Sequence, residues 1–223
     1  MDWAKTGIAG LDNLLSGGFA RGSSALLIGP VGTLKSYMGL QFIYEGLRDH
    51  ERCTYISAIY DFDTICDQAK SNFGWDIKPY RQKGLLNFVN LRPLFESGKF
   101  LDVGTLIGEI EKPGTGKPGA RALICSLSPM FNFVEDERAV LRTVFALNEG
   151  LRKMGVTILY VTDQGAQPKL IEENLKSICD YVLTTEMRGK ERRIRILKAL
   201  TKHGLEWHKL SLTDKGIEVE LVL

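Results

Sequence analysis

Gly29, Lys35 and Ser36, in the stretch Gly29-Pro30-Val31-Gly32-Thr33-Leu34-Lys35-Ser36, are the residues whose types and spacing best suit chemistry. The spacing nearly fits the phosphate-binding pattern G-x-x-x-x-G-K-[ST], in which backbone N–H groups and a helix N-terminus surround nucleotide phosphates. In that frame Gly32, Thr33 and Leu34 complete the loop, Lys35 reaches the terminal phosphates and Ser36 ligates magnesium. The implied ligand is a nucleotide with magnesium. One position departs from the pattern. A glycine is wanted before the lysine, so that backbone can approach phosphate with no side chain between, and this chain has Leu34. The informative matches are therefore Gly29, Lys35 and Ser36, and a plain glycine-containing strand-to-helix turn is the other reading of the octapeptide.

The elements around it agree with a strand, loop and helix. Residues 24–29 form a short apolar run, and residues 35–48 place Met38, Leu40, Phe42 and Ile43 towards a core. Before them, Leu11, Leu14 and Leu15 have helical spacing ended by Gly17-Gly18. After them, Cys53 to Ile59 reads as a strand, and Asp63 to Asn72 as a helix capped by Asp61 or Asp63. Gly74-Trp75-Asp76 with Pro79 is expected to break the chain. Leu85 to Leu91 reads as a strand, Val103 to Glu111 as a helix and Lys112 to Gly119 as an exposed loop. Then come a strand at Ala122 to Ser126, a long amphipathic helix at Glu135 to Lys153 and an apolar strand at Thr157 to Thr162. This alternation predicts an α/β fold with a mostly parallel sheet covered on both faces, with ligands at the carboxyl ends of its strands. From Tyr181 onward, period-two alternation around turns at Arg188-Gly189-Lys190 and Asp214-Lys215-Gly216 predicts antiparallel strands at the sheet edge.

At 223 residues, with 44% hydrophobic and 25% charged, the chain suits one substantial domain over residues 1–223 with a real core. A formal net charge of +2 gives bulk electrostatics no reason to favour nucleic acid or membrane partners. Cys53, Cys66, Cys125 and Cys179 lie far apart without a C-x-x-C pair, which argues against zinc and dithiol chemistry. No apolar run is long enough to span a bilayer and no secretory pattern opens the chain, so a cytoplasmic location is expected.

Taken together these segments resemble the KaiC-like branch of the RecA and RadA superfamily of P-loop ATPases, over nearly the whole length. The resemblance is carried by Thr6-Gly7-Ile8-Ala9-Gly10-Leu11-Asp12, the P-loop followed by Gln41-Phe42, and Tyr55-Ile56-Ser57 leading to Phe73-Gly74-Trp75-Asp76. It continues through Ser126-Leu127-Ser128-Pro129, Asp180-Tyr181-Val182, Arg193 to Lys198 and Thr213-Asp214-Lys215-Gly216-Ile217. It implies a RecA-like fold, ATP binding and a tendency towards homo-oligomeric rings or a protein partner.

Hydrolysis on such a fold needs a carboxylate supporting magnesium and another orienting the attacking water. The resemblance places the first at Cys125 and the second at Ile59-Tyr60, and none of these residues is acidic. Asp61 and Asp63 lie just downstream, and a one-residue slip would turn Asp61 to the other side of its strand. Asp163 falls where related ATPases sense the terminal phosphate, although Asp163-Gln164-Gly165 is most simply a turn. Arg188, Lys190, Arg192, Arg193, Arg195, Lys198 and Lys202 form the one basic stretch. Within it Arg195, Lys198, Lys202 and His203 are candidates for contacting a neighbouring protomer's phosphates, as the family's Lys-Met-Arg-Gly-Thr-x-His segment does. Here Leu200 replaces that arginine, and a solvent-facing edge strand carrying Lys and Arg accounts for the same residues. The expectation is a regulatory or assembly component with weak or absent hydrolysis that binds nucleotide weakly through Lys35 and Ser36, or, given Leu34, binds none. The rival readings are an active ATPase using displaced carboxylates and a DNA-binding, RadA-like recombination accessory.

Overall fold

A computed structural model describes residues 2–96, 103–112, 115, 117–131 and 136–221. Its centre is a nine-stranded sheet. β3 (Ser24–Gly29) lies between β7 (Thr157–Asp163) and β8 (Tyr181–Arg188), and β6 (Lys117–Cys125), β4 (Glu51–Ser57) and β5 (Leu86–Asn90) follow beyond β7, all parallel. On the other side β9 (Glu191–Lys198), β10 (His208–Thr213) and β11 (Gly216–Glu220) add antiparallel strands out to the edge. The predicted architecture of a parallel sheet with an antiparallel C-terminal edge is the one observed. A separate pair, β1 (Trp3–Ala4) and β2 (Phe19–Ala20), brackets α1 (Ala9–Leu14).

Side-chain alternation explains the two faces of the sheet. Along β3, Ala25 and Leu27 enter one core with α2 (Lys35–Arg48) and α3 (Phe62–Phe73), whereas Leu26 and Ile28 enter the opposite core. That second core holds α6 (Val103–Glu111), α8 (Glu137–Lys153) and α9 (Lys169–Ile178). All six β3 residues are buried, as a central parallel strand covered on both faces requires. All four cysteines are buried and free. Among the described residues no helix is long and apolar enough to cross a membrane.

Several boundaries differ from the sequence reading. The chain does not simply break at Pro79. α3 ends where Gly74 turns left-handed, and Pro79 then sits in the first turn of α4 (Lys78–Gln82), where a missing N–H leaves no helical bond unmade. The expected loop at 112–119 joins the sheet from Lys117. The pairing steps from Glu51↔Lys117 to Cys53↔Arg121, and this irregularity accommodates Pro118, which has no N–H to give the ladder. α8 begins at Glu137 behind the cap Asp136, and Glu135 lies outside the described residues. α5 (Arg92–Glu96), α7 (Ser128–Phe131), α9 and the β1–β2 pair were not expected.

Candidate functional site

The ends of β3, β7 and β6 lie side by side, with Gly29 opposite Asp163 and Cys125 opposite Val161 in register. The loop leaving Gly29 is packed tightly. A Cβ on Gly29 would lie 2.0 Å from Thr185 Oγ1 and 2.6 Å from the Thr185 carbonyl, so β8 admits only a glycine there. Thr33 Oγ1 donates to the Pro30 carbonyl at 2.8 Å and lies 2.6 Å from Thr185 Oγ1. Gly32 and Leu34 both take left-handed backbone conformations, with φ of 85° and 70°. Leu34 thus adopts the conformation expected of a glycine at that position while keeping its side chain, which packs against the core below and lines the cleft beside it.

Lys35 opens α2 and is buried. Its Nζ donates to the Pro30 carbonyl at 2.7 Å and pairs with Asp163 Oδ1 at 2.9 Å. Asp163 ends β7 before the turn that was expected, but its carboxylate faces the loop lysine and is not merely a turn residue. The Ser126-Leu127-Ser128 segment holds it there: the Asp163 N–H donates to Ser128 Oγ at 2.7 Å, Ser126 Oγ donates to Ser128 Oγ at 3.2 Å, and Ser128 Oγ lies 3.1 Å from Thr162 Oγ1.

An open cleft of about 310 Å³ lies over the loop, walled by Val31, Leu34, Ser36, Tyr60 and Asp163 among others. Cys125 is buried behind it, facing Ser36 and Tyr55. Burial pushes its thiol up, and hydrogen bonds with Ser36 and Tyr55 oppose that shift only in part. Ser57 Oγ donates to the Tyr60 carbonyl at 2.6 Å and accepts the Tyr60 N–H at 3.0 Å, a tight turn that leaves Ile59 and Tyr60 lining the cleft.

The downstream carboxylates are engaged elsewhere. Asp61 caps α3, accepting the Thr64 N–H at 2.8 Å, and that hydrogen bond lowers its pKa. Asp63 is exposed and pairs with Lys78 at 3.3 Å.

The basic stretch divides. Lys198 Nζ donates to the carbonyls of Ser177 and Cys179 at 2.9 and 2.7 Å, a cation at the C-terminal end of α9 and not a side chain presented outward. Arg195 lies over the Trp207 ring at 4.5 Å, and Arg193 pairs with Glu186 and Glu191. Lys202 is exposed, and His203 Nδ1 is 3.0 Å from the Thr201 carbonyl. Arg192, which the sequence offered only as one more basic residue, reaches the phosphate loop: its Nε donates to the Gly32 carbonyl at 2.9 Å. The antiparallel return of β9 sets Arg192 opposite Met187, two residues past Thr185, and sequence periodicity carries no signal for that approach.

Comparison with known proteins agrees with this geometry. The family model described as "ATPase: KaiC" matches residues 4–221. A UPF0273 protein of Aeropyrum pernix is 29% identical over 239 residues, covering 98% of this chain and 94% of that protein. The circadian clock protein KaiC3 of Synechocystis is 28% identical over 218 residues, 92% of this chain and 42% of KaiC3, so this chain spans less than half of that relative. The crystal structure of a KaiC-like protein from Pyrococcus horikoshii is similar at a TM-score of 0.81 and 25% identity, with 99% of each chain covered. With its family model matched over almost all of its length and its loop lysine at the mouth of a cleft between β3 and β7, the chain belongs to the KaiC family of ATPases.

Proposed function

We propose that this protein binds a nucleoside di- or triphosphate at the Gly29–Ser36 loop and hydrolyses it weakly or not at all, acting as a regulatory or assembly component. The observation carrying this reading is the donor set of the cleft: Lys35 stands at its mouth, while Cys125 lies behind Ser36, and Ile59 and Tyr60 form the wall. The resemblance to RecA-fold ATPases implies acidic groups at those positions, where they would support the chemistry. Phosphoryl transfer depends on positioned charge, and a thiol, an isoleucine and a tyrosine supply no carboxylate there to deprotonate a water. The engagement of Asp61 as a helix cap and of Asp63 with Lys78 supports the same reading.

A second reading has one observation in its favour. Asp163 lies within the cleft and against Lys35, so an active ATPase would use it in place of the missing carboxylates. DNA binding is less favoured, because Arg193, Arg195 and Lys198 have partners inside the chain. Ring assembly, suggested by the family, would be tested by sedimentation with and without nucleotide.

Calorimetric titration of ATP and ADP, with phosphate release followed on the same preparation, tests the proposal. Binding that is abolished by Lys35→Ala, without turnover above background, is the expected result. Sustained release lost in Lys35→Ala would establish the active-ATPase reading instead.

A further inference from the structure

On a P-loop, magnesium usually shares the phosphate charge, held by a serine or threonine hydroxyl and by carboxylates that accept from its water shell. Magnesium is a hard cation that demands near-octahedral oxygen ligation and keeps several waters, so the second layer of acceptors matters as much as the hydroxyl. The residues here do not fit it. Ser36 supplies the hydroxyl, but the group behind it is the Cys125 thiol, a soft donor that is neutral near pH 7. The wall beyond is Ile59 and Tyr60, which offer no anionic acceptor. Asp61 accepts from its own helix and Asp63 pairs with Lys78, and the cleft carboxylate, Asp163, is held by Lys35 at 2.9 Å.

Positive charge, by contrast, comes from the chain itself at two points. Lys35 lies at the loop mouth. Arg192 lies across the loop's rim with its Nε on the Gly32 carbonyl at 2.9 Å, and among the described residues no carboxylate pairs with it. Its guanidinium carries further N–H donors in a planar fork suited to phosphate oxygens.

We infer that this site takes its nucleotide without magnesium, the phosphate charge being met by Lys35 and Arg192. This rests on the nucleotide-binding reading above. Losing the metal would ordinarily leave a polyphosphate under-neutralised in a loop built for it. A second cation on β9, fixed to the loop backbone, offsets that loss without a divalent ion.

ATP titrated into the full chain in magnesium, and separately in EDTA, tests the inference. Dissociation constants within roughly threefold of each other are expected, equivalent to less than about 1 kcal/mol. A loss of roughly tenfold or more in EDTA overturns it. Absence of binding in both buffers would refute the underlying nucleotide reading, which a difference between the buffers would not. Arg192→Gln, with folding checked by circular dichroism, is expected to weaken binding roughly tenfold in both buffers, the scale of one hydrogen bond to a charged group. Unchanged affinity in that variant would overturn the role given to Arg192. Cys125→Asp, which restores an acceptor behind Ser36, is expected to make binding tighter in magnesium than in EDTA, and equal affinities in that variant would contradict the account of the donor set.

Discussion

The Lys35 ammonium lies 2.9 Å from the Asp163 carboxylate, so the cation that would meet a nucleotide phosphate already has an anionic partner in the same chain. Lys35 is 5% exposed and Asp163 31%, so the pair that lines the cleft is largely buried and only partly screened by solvent. An incoming phosphate would share the Lys35 ammonium with that carboxylate, and the two like charges would oppose each other.

Asp163→Asn should therefore tighten ATP binding by a few-fold while lowering the stability of the nucleotide-free protein by about 1 kcal/mol, because a largely buried lysine loses its counter-ion. Calorimetry and urea denaturation read the two effects. If Asp163 serves catalysis, the same variant would instead lose phosphate release.

Leu34→Gly exchanges a left-handed leucine for the residue that adopts φ near 70° without penalty. Relief of about 1 kcal/mol of backbone strain is offset by lost packing of the half-buried side chain, so the melting temperature should move little. Nucleotide affinity should rise by roughly a factor of five, about 1 kcal/mol, as backbone comes free to approach phosphate. An affinity that falls would show that Leu34 contributes to the ligand's binding surface.

Gly29→Ala should be strongly destabilising, by at least about 2 kcal/mol, because the added Cβ meets both the Thr185 hydroxyl and its carbonyl. Combining it with Thr185→Ala should recover only part of the loss, since the carbonyl 2.6 Å away remains. Full recovery in chemical denaturation would mean that the hydroxyl alone sets the constraint.

At the opposite end of the strands, Glu51 is held between Arg121 and Arg21, each with a nitrogen 2.6 Å from it, and Arg121 also donates to the Phe42 carbonyl at 3.1 Å. Glu51→Ala would leave the buried Arg121 without its counter-ion and should cost about 3–5 kcal/mol. Burial raises the pKa of Glu51, but the hydrogen bonds from the two arginines outweigh it, and the net shift is downward from 4.5. A carboxyl with a depressed folded pKa contributes stability that is present above its unfolded value and is lost as pH falls through the folded one. The wild-type protein should therefore lose stability below about pH 4.5, and Glu51→Gln should flatten that limb of the stability profile.

Local pattern accounts for much of what was legible in advance. The run at 24–29, the helix that follows and the alternation of strands and helices were readable because strand and helix periods are written into consecutive residues. A cap at Asp61 or Asp63 was readable for the same reason, and the structure makes it Asp61, whose partner is Thr64. Helix α9 escaped because the preceding residues read only as a turn, and the strand at Lys117 because Pro118 and its glycine neighbours look like a loop until Glu51 is seen to pair with Lys117.

By itself the sequence determined the phosphate-loop frame, the family and the absence of acidic side chains at 59, 60 and 125. Tertiary structure decided which groups face that loop. Asp163 became the partner of Lys35, Thr185 the neighbour of Thr33 across 152 residues, and Arg192 the donor to Gly32 across 160. Lys198, a candidate for contacting a neighbour, became the cation at the end of α9. These contacts depend on strand order, with β3 between β7 and β8 and β9 returning alongside, and strand order is set by packing across the whole sheet. Periodicity along the chain specifies which face a side chain takes; only the assembled sheet specifies its neighbours.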